Sequence, residues 1–246
     1  MGKGFVSMTW PEFETAPALA FVDVDGTLLA ETTTYLFARI LRRRGMIKKS
    51  FILRAMYHGL QHKFGRLDYG RLVGFGLKSV AGVPVAELET MAEVNFVENV
   101  KPRLYVGVAE HLGGLRARGT KVVLVSSSPG IVIEPLARYL GCEATITTPV
   151  AIVDGRLVGA GDGPPCYGEG KLYWAAKWAA AQGICMDAAV AYGDNWSDRS
   201  LLMTVGRAVV VHPRGRLRRL AVARGWAIAR PRSPAQPSRS RFTSWF

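Results

Sequence analysis

Two aspartates, Asp23 and Asp25, end an apolar run in the stretch FVDVDGTLLAETTTYLF, residues 21–37. Carboxylates forced into so small a space repel, and one is driven towards its protonated form unless a cation lies between them. Polar groups of related kinds recur downstream. Ser126, Ser127 and Ser128 follow KVVLV, Lys171 opens an apolar helical pattern, and Asp194 and Asp198 follow AAVAYG. Brought to one rim they make four carboxylates, a hydroxyl cluster and an ammonium. Such a set suits a hard cation, and Mg²⁺ prefers a few carboxylates together with water and phosphate oxygens. A lysine and a serine hydroxyl beside it could neutralise a phosphoryl group and hold it in line for attack. One aspartate could act as nucleophile, forming an aspartyl-phosphate that is then hydrolysed. The other could protonate the leaving oxygen and later activate water. Residue types alone therefore reach metal-assisted phosphoryl transfer.

These residues need a scaffold that presents strand ends together. Five short, nearly continuous apolar runs read as buried strands: LAFVDVD (19–25), KVVLV (121–125), ATITT (144–148), AAVAYGD (188–194) and RAVVVHP (207–213). Helical patterns separate them, in IVIEPLARYL, in KLYWAAKWAAAQG (171–183) and in DRSLLMTV. Continuous apolar strands alternating with helices imply a parallel sheet covered on both faces. Ligands of such sheets bind beyond the carboxyl ends of the strands, where all the polar residues above fall. PVAIVDGRLVGA (149–160) reads as a β-hairpin turning at Asp154-Gly155. Residues 31–110 hold helix-like, basic, aromatic-containing segments broken by glycines and no convincing strand, so they read as an inserted helical subdomain. The expected organisation is a core of residues 18–30 and 111–230, a cap of 31–110, and flexible extensions at 1–17 and 231–246.

Composition limits the alternatives. A chain of 246 residues with 49% apolar content can bury a core of one large domain with an insert. No apolar run approaches the roughly 20 residues of a membrane span. The N-terminus lacks a secretory layout and misses the myristoylation pattern, with Val6 where a hydroxyl is needed. Cys142, Cys166 and Cys185 form no CxxC pair, which fits a reducing compartment, so the cytoplasm is the default. His58, His62, His111 and His212 have no mutual metal spacing, and GEGK lacks the Ser/Thr and upstream glycine of a nucleotide P-loop. Trp174 and Trp178, four apart, read as packing, while Phe37, Phe51, Tyr57 and Phe64 suit either a cap core or a substrate wall. The net charge of +13 gathers between Arg39 and Arg66 and between Arg214 and Arg241. Solvated faces explain much of it; attraction for anionic substrates or an anionic membrane surface are the sharper readings. No nucleic-acid motif accompanies the charge, so no nucleic-acid partner is expected.

With these residues in hand, the sequence resembles the haloacid dehalogenase-like hydrolases. Four motifs occur in order: DVDGTL (23–28), VVLVSSS (122–128), Lys171 in GEGK, and GDNWSD (193–198). The insert after the first motif, the SSSPGIVIEPLA run and the GPPCYGEGK run look most like the phosphoserine-phosphatase-like branch with a helical cap. The resemblance implies a Rossmann-like three-layer α/β/α core and a Mg²⁺-dependent phosphatase acting on a small phosphorylated substrate. It implies Asp23 as nucleophile and metal ligand, and Asp25 as general acid/base with its backbone carbonyl on the metal. Asp194 would complete the metal site, and Asp198 would orient metal waters and Lys171 from behind. Ser126 and the Ser127 amide would hold phosphate, Lys171 would counter its charge, and Gly26 and Thr27 would shape the turn.

Two positions depart from that branch. Thr32 stands where its members carry a glutamate that reads the substrate amine, and Glu31 is one residue short of it. Ser197 stands where they carry asparagine. Both argue away from phosphoserine and leave the chemistry untouched. A phosphorylated lipid headgroup, transfer to an alcohol rather than water, and a non-enzymatic module that binds membranes or partners through its basic cap stay open as alternatives. The oligomeric state is unread.

Overall fold

The computed structural model describes residues 6–7, 10–47 and 69–234. Phe51, Tyr57 and Phe64, His58 and His62, the basic stretch from Lys48 through Arg66, and the tail from residue 235 lie outside the described residues.

In chain order the elements are β1 (Val6–Ser7), β2 (Leu19–Asp23), α1 (Thr33–Arg43), α2 (Tyr69–Lys78) and α3 (Val85–Asn95). A π-helical turn (Phe96–Val100) and a 3₁₀ turn (Lys101–Arg103) follow. Then come α4 (Val108–Ala117), β3 (Lys121–Pro129), α5 (Gly130–Leu140), β4 (Ala144–Thr148), β5 (Val150–Val153), β6 (Arg156–Ala160) and α6 (Glu169–Ala181). The chain continues with β7 (Ala189–Gly193), α7 (Arg199–Thr204), β8 (Arg207–Val211), α8 (Gly215–Arg224) and β9 (Ala227–Ala229).

Among the described residues seven strands form one sheet in the order β1-β9-β8-β7-β2-β3-β4, with every pairing parallel. The five strands read from sequence all lie in it. The two-residue β1 and three-residue β9 extend its far edge and are too short to show a pattern. β2 sits between β3 and β7, in register with both: Asp23 pairs with Val125, and Val22 with Tyr192. Alternation along β2 divides the core into two faces. Ala20 and Val22 pack with Leu112 and Leu115 of α4 and Ile133 and Leu136 of α5. Leu19 and Phe21 pack with Ala175 of α6, Leu201 of α7 and Leu217 of α8. Helices therefore cover both faces, giving a Rossmann-like three-layer core.

A third cluster lies above the sheet. Phe37, Ile40 and Leu41 of α1 join Leu77 of α2, Leu88 and Met91 of α3, and Val132 of α5. Phe37 is thus buried among apolar side chains. Leu157 of β6 is in the same cluster, because the β5–β6 hairpin docks on this helical group. The Gly82 amide donates to the Leu157 carbonyl (2.8 Å), the Leu157 amide to Val83 (3.1 Å), and the Val85 amide to Gly155 (2.8 Å). The hairpin turns at Asp154 (φ 49°) and Gly155 (φ 70°), two consecutive left-handed residues, as a tight hairpin loop requires. The chain leaves the sheet for the helical group and returns at one place. Leu29 and Leu104 form an antiparallel bridge, the Tyr105 amide donates to the Leu28 carbonyl (2.8 Å), and Arg103 Nε donates to Glu31 Oε1 (2.9 Å).

The segment before β2 lies along the core. The Trp10 ring stacks on His111 with centroids 5.3 Å apart, and its Nε1 donates to the Val106 carbonyl at 3.1 Å. His111 in turn meets the Tyr192 hydroxyl at 2.8 Å, and burial lowers its pKa to about 4, so it serves here as a neutral ring. Thr120 Oγ1 donates to Pro17 O (2.7 Å), and Arg207 reaches Thr15. Among the described residues no helix is long and apolar enough to cross a membrane. Truncating Trp10 would empty a slot between α4 and the segment preceding β2. Trp10→Ala is expected to lower stability by about 3 kcal/mol, a Tm drop of roughly 6–12 °C for a chain of this size. A thermal melt within 2 °C (an allowance set by) of wild type would show that this segment does not fasten the core.

Candidate active site

β2 ends at Asp23, one residue pair short of where the sequence pattern placed its end. Asp23 is thus the last residue held by the sheet, while Asp25 lies beyond it in an isolated bridge with Leu29. Gly26 (φ 89°) makes the turn between them and the next helix. A Cβ there would fall on the Asp194 carboxylate, so glycine is required twice, for the backbone angle and for the approach of β7's loop.

Asp23 is 7% exposed, and both its oxygens are engaged. Lys171 Nζ donates to Oδ1 at 2.5 Å, and Thr27 Oγ1 donates to Oδ2 at 2.8 Å. The same ammonium donates to Asp198 Oδ1 at 2.6 Å. Lys171 lies in the first turn of α6, where a cation meets the positive end of the helix dipole. Two buried carboxylates hold it there. Burial alone would lower its pKa, yet Asp198 and Asp23 outweigh burial and raise it well above the usual lysine value. Asp198 Oδ2 accepts from the amides of Asn195 (2.9 Å) and Asp194 (3.2 Å), closing a capping box with Asn195. Each Asp198 oxygen is thereby committed to positioning a neighbour.

Asp194 differs: its carboxylate has no hydrogen-bond partner among the described residues. Carboxylate oxygens of Asp23, Asp194 and Asp198 all lie within 4.8 Å of one another. This all-oxygen donor set, with one member free, fits a hard divalent cation. Without one, burial raises Asp23 to about 7 and Asp194 to about 8, and the neighbouring carboxylates push the same way. One ammonium cannot balance two buried carboxylates and a half-buried third, so the Asp23–Asp194 side of the cluster retains a proton near neutrality.

Asp25 occupies a separate environment. Its Oδ1 accepts from the Thr33 amide at the start of α1 (2.8 Å). Its Oδ2 is buried without a partner among the described residues. Burial raises its pKa, opposed by the Thr33 amide. Burial thus favours its neutral form, and a neutral carboxyl is suited to donate a proton. Ser126, Ser127 and Ser128 lie within β3 rather than after it, since the strand runs on to Pro129 through a register shift. Pairing of Asp23 with Val125 sets Ser126 one step beyond the level of Asp23. The Ser128 hydroxyl meets that of Thr33, a residue not singled out by sequence, at 3.0 Å. Tyr105, also unforeseen, rests its ring 5.0 Å from His212 and feels the Asp194 charge. Cys166 is fully buried and burial pushes its thiol to about 12, so it is no thiolate ligand. A cavity of about 450 Å³ lined by Arg116, Lys121 and Glu143 lies at the opposite end of β3 and belongs to none of this.

The two positions that set the substrate in question are also placed. Glu31 is paired with Arg103, and Thr32 is the exposed N-cap of α1, with no side-chain capping bond.

The family model of the haloacid dehalogenase-like hydrolases matches residues 20–203. A probable phosphatase of Mycobacterium tuberculosis is 29% identical over 223 residues, covering 89% of this chain and 76% of its own. A phosphoserine phosphatase of the same organism is 30% identical over 215 residues, covering 86% and 70%. A Bordetella pertussis protein of unknown function superposes with a TM-score of 0.79 at 29% identity, over 87% of this chain and 99% of that one.

Because Asp23 and Asp194 are raised above 3.8, their unfolded value, the metal-free fold binds protons that the unfolded chain has lost. Their contribution to stability is therefore full at low pH and is lost as pH rises through about 7 to 8. A divalent cation needs the ionised carboxylates and reverses this trend. The Tm gain from millimolar magnesium chloride over chelator is expected to be larger at pH 8 than at pH 6, the two sides of that range. Asp194→Asn is expected to abolish most of the gain. Equal gains at both pH values would exclude binding at this cluster.

Proposed function

The chain belongs to the haloacid dehalogenase-like hydrolases and is a phosphatase; on that premise we propose a Mg²⁺-dependent phosphomonoester hydrolase working through an aspartyl-phosphate on Asp23. The observation that carries this reading is the division of labour between the two aspartates. Asp23 is pinned through both oxygens beside Lys171, while Asp25 stands apart with one buried oxygen unpartnered.

Asp23, the Asp25 backbone carbonyl and Asp194 would hold Mg²⁺, which when bound supplies positive charge to the phosphoryl oxygens. Lys171, already an ammonium against Asp23, shares that task, and Ser126 with the Ser127 amide orients the group. Asp23 Oδ attacks phosphorus as the bond to the leaving oxygen breaks, and that bond's electron pair stays on oxygen. Asp25 delivers its proton there. As a carboxylate it then takes a proton from the water that attacks the phospho-aspartate, releasing inorganic phosphate and restoring both acids. Residues 31–110, covering the rim as a cap on a core of 18–30 and 111–230, exclude bulk water from these steps.

The substrate is a small phosphorylated metabolite. One relative bears the name phosphoserine phosphatase. Against phosphoserine here stand Thr32 and the pairing of Glu31 with Arg103, which together leave that segment no free carboxylate for an ammonium. A phosphorylated lipid headgroup is the second reading. It is favoured by the exposed Arg216, Arg218 and Arg219 of α8 and by the absence of any Asp or Glu after Asp198 in the sequence. A panel of phosphomonoesters with Mg²⁺, including phosphoserine and lipid-derived phosphates, separates these. For the best substrate, Asp23→Asn is expected to lower kcat on the order of 10⁴-fold with Tm retained. A variant with near wild-type turnover would sink the assignment.

A further inference from the structure

Thr33 and Ser128 are fully buried hydroxyls far from any apolar reason to be there, at 1% and 3% exposure. Ser128 Oγ lies 3.0 Å from Thr33 Oγ1 and 2.6 Å from Thr34 Oγ1, joining β3 to the first turn of α1. The Ser128 amide donates to Ser126 Oγ at 3.1 Å, and the Thr33 amide donates to Asp25 Oδ1 at 2.8 Å. An unbroken chain of hydrogen bonds thus runs from the phosphate-side serine, through Ser128 and Thr33, to the acid carboxyl. The Thr33 and Ser128 side chains also act on the Asp25 carboxyl, holding its pKa down against burial. Its geometry is set by the first turn of α1, and that turn is set by Ser128.

We propose that Ser128 and Thr33 are positioning residues for the proton transfer at Asp25. Their hydroxyls fix the start of α1 so that the Thr33 amide holds Asp25 Oδ1 and leaves Oδ2 facing the leaving oxygen. This rests on the phosphatase reading above and adds who orients the acid. The step served is the one in which the P–O bond breaks, its electron pair remains on the leaving oxygen, and the Asp25 proton moves to that oxygen. Burying two hydroxyls that satisfy each other stabilises little beyond an apolar pair of the same shape, so an orienting role gives these residue types a reason to be here.

The test uses the dependence on the leaving group. An alkyl phosphate expels a strongly basic alkoxide and needs the acid, whereas p-nitrophenyl phosphate expels a stable phenolate and does not. kcat/KM, which reports the steps through aspartyl-phosphate formation, is measured for p-nitrophenyl phosphate and for the alkyl phosphomonoester turned over fastest. Ser128→Ala and Thr33→Val are expected to lower the alkyl value about 10-fold or more and the aryl value less than about twofold. Thr33→Ser, which keeps the hydroxyl, is expected to restore the alkyl value. An equal loss for both esters, or no loss for either, would overturn the positioning role, and Thr33→Val decides alone if Ser128→Ala does not fold. Loss of neither ester's turnover in Asp23→Asn would overturn the hydrolase reading instead, so the two failures are distinguishable.

Discussion

One buried ammonium holds two buried carboxylates while a third, half-buried, stands beside them, and the rest of the site follows from that imbalance. Lys171 bridges Asp23 and Asp198 at 2.5 and 2.6 Å, inside a region almost closed to water. Removing charges from water is costly, and breaking such a group by deleting one partner leaves an uncompensated charge. The local fold therefore supplies every neutral donor it can. The Thr27 hydroxyl serves Asp23, and the two amides that open the β7 loop serve Asp198. Asp194 is the one carboxylate left out of this arrangement. A cluster so constructed has a standing affinity for positive charge, which a divalent cation would supply.

The second constraint is where a strand stops. Because β2 gives up its last pairing at Asp23, Asp25 is freed from the period of the sheet and can be claimed by the start of α1. Two aspartates separated by one valine thus live in different surroundings: one against Lys171, the other against a helix amide. Different surroundings shift their proton affinities by different routes, which is how one pair of identical side chains can be divided between attack and proton transfer. Gly26 makes this separation compact, since any side chain there would occupy the space of Asp194.

What sequence could show was the part of the molecule governed by local pattern. β2, β3, β7 and β8 are apolar runs buried on both faces, and the chemistry-bearing residues of the first three fall at or just beyond their carboxyl ends. β1 and β9 escaped because two and three residues carry no period. The docking of the hairpin on the helical group escaped because it joins Gly82 to Leu157 through backbone bonds that no side-chain type announces. The pairing of Thr33 with Ser128, ninety-five positions apart, and of Glu31 with Arg103, seventy-two apart, are equally matters of tertiary placement. A run of three threonines and a run of three serines were visible. That each run would supply one half of a single contact was not.

The bridge between Leu29 and Leu104 has a consequence for how such a molecule can change over generations. The chain departs from the sheet and re-enters it at neighbouring backbone positions, so the excursion leaves and rejoins the sheet at a single place. The geometry of the sheet fixes only that point of departure and return. Longer, shorter or differently folded excursions would meet the same requirement without re-registering one strand, and closing a longer loop adds little entropy. The carboxyl end of the sheet and the helical group above it are therefore separately heritable: one can be conserved to the atom while the other is replaced wholesale.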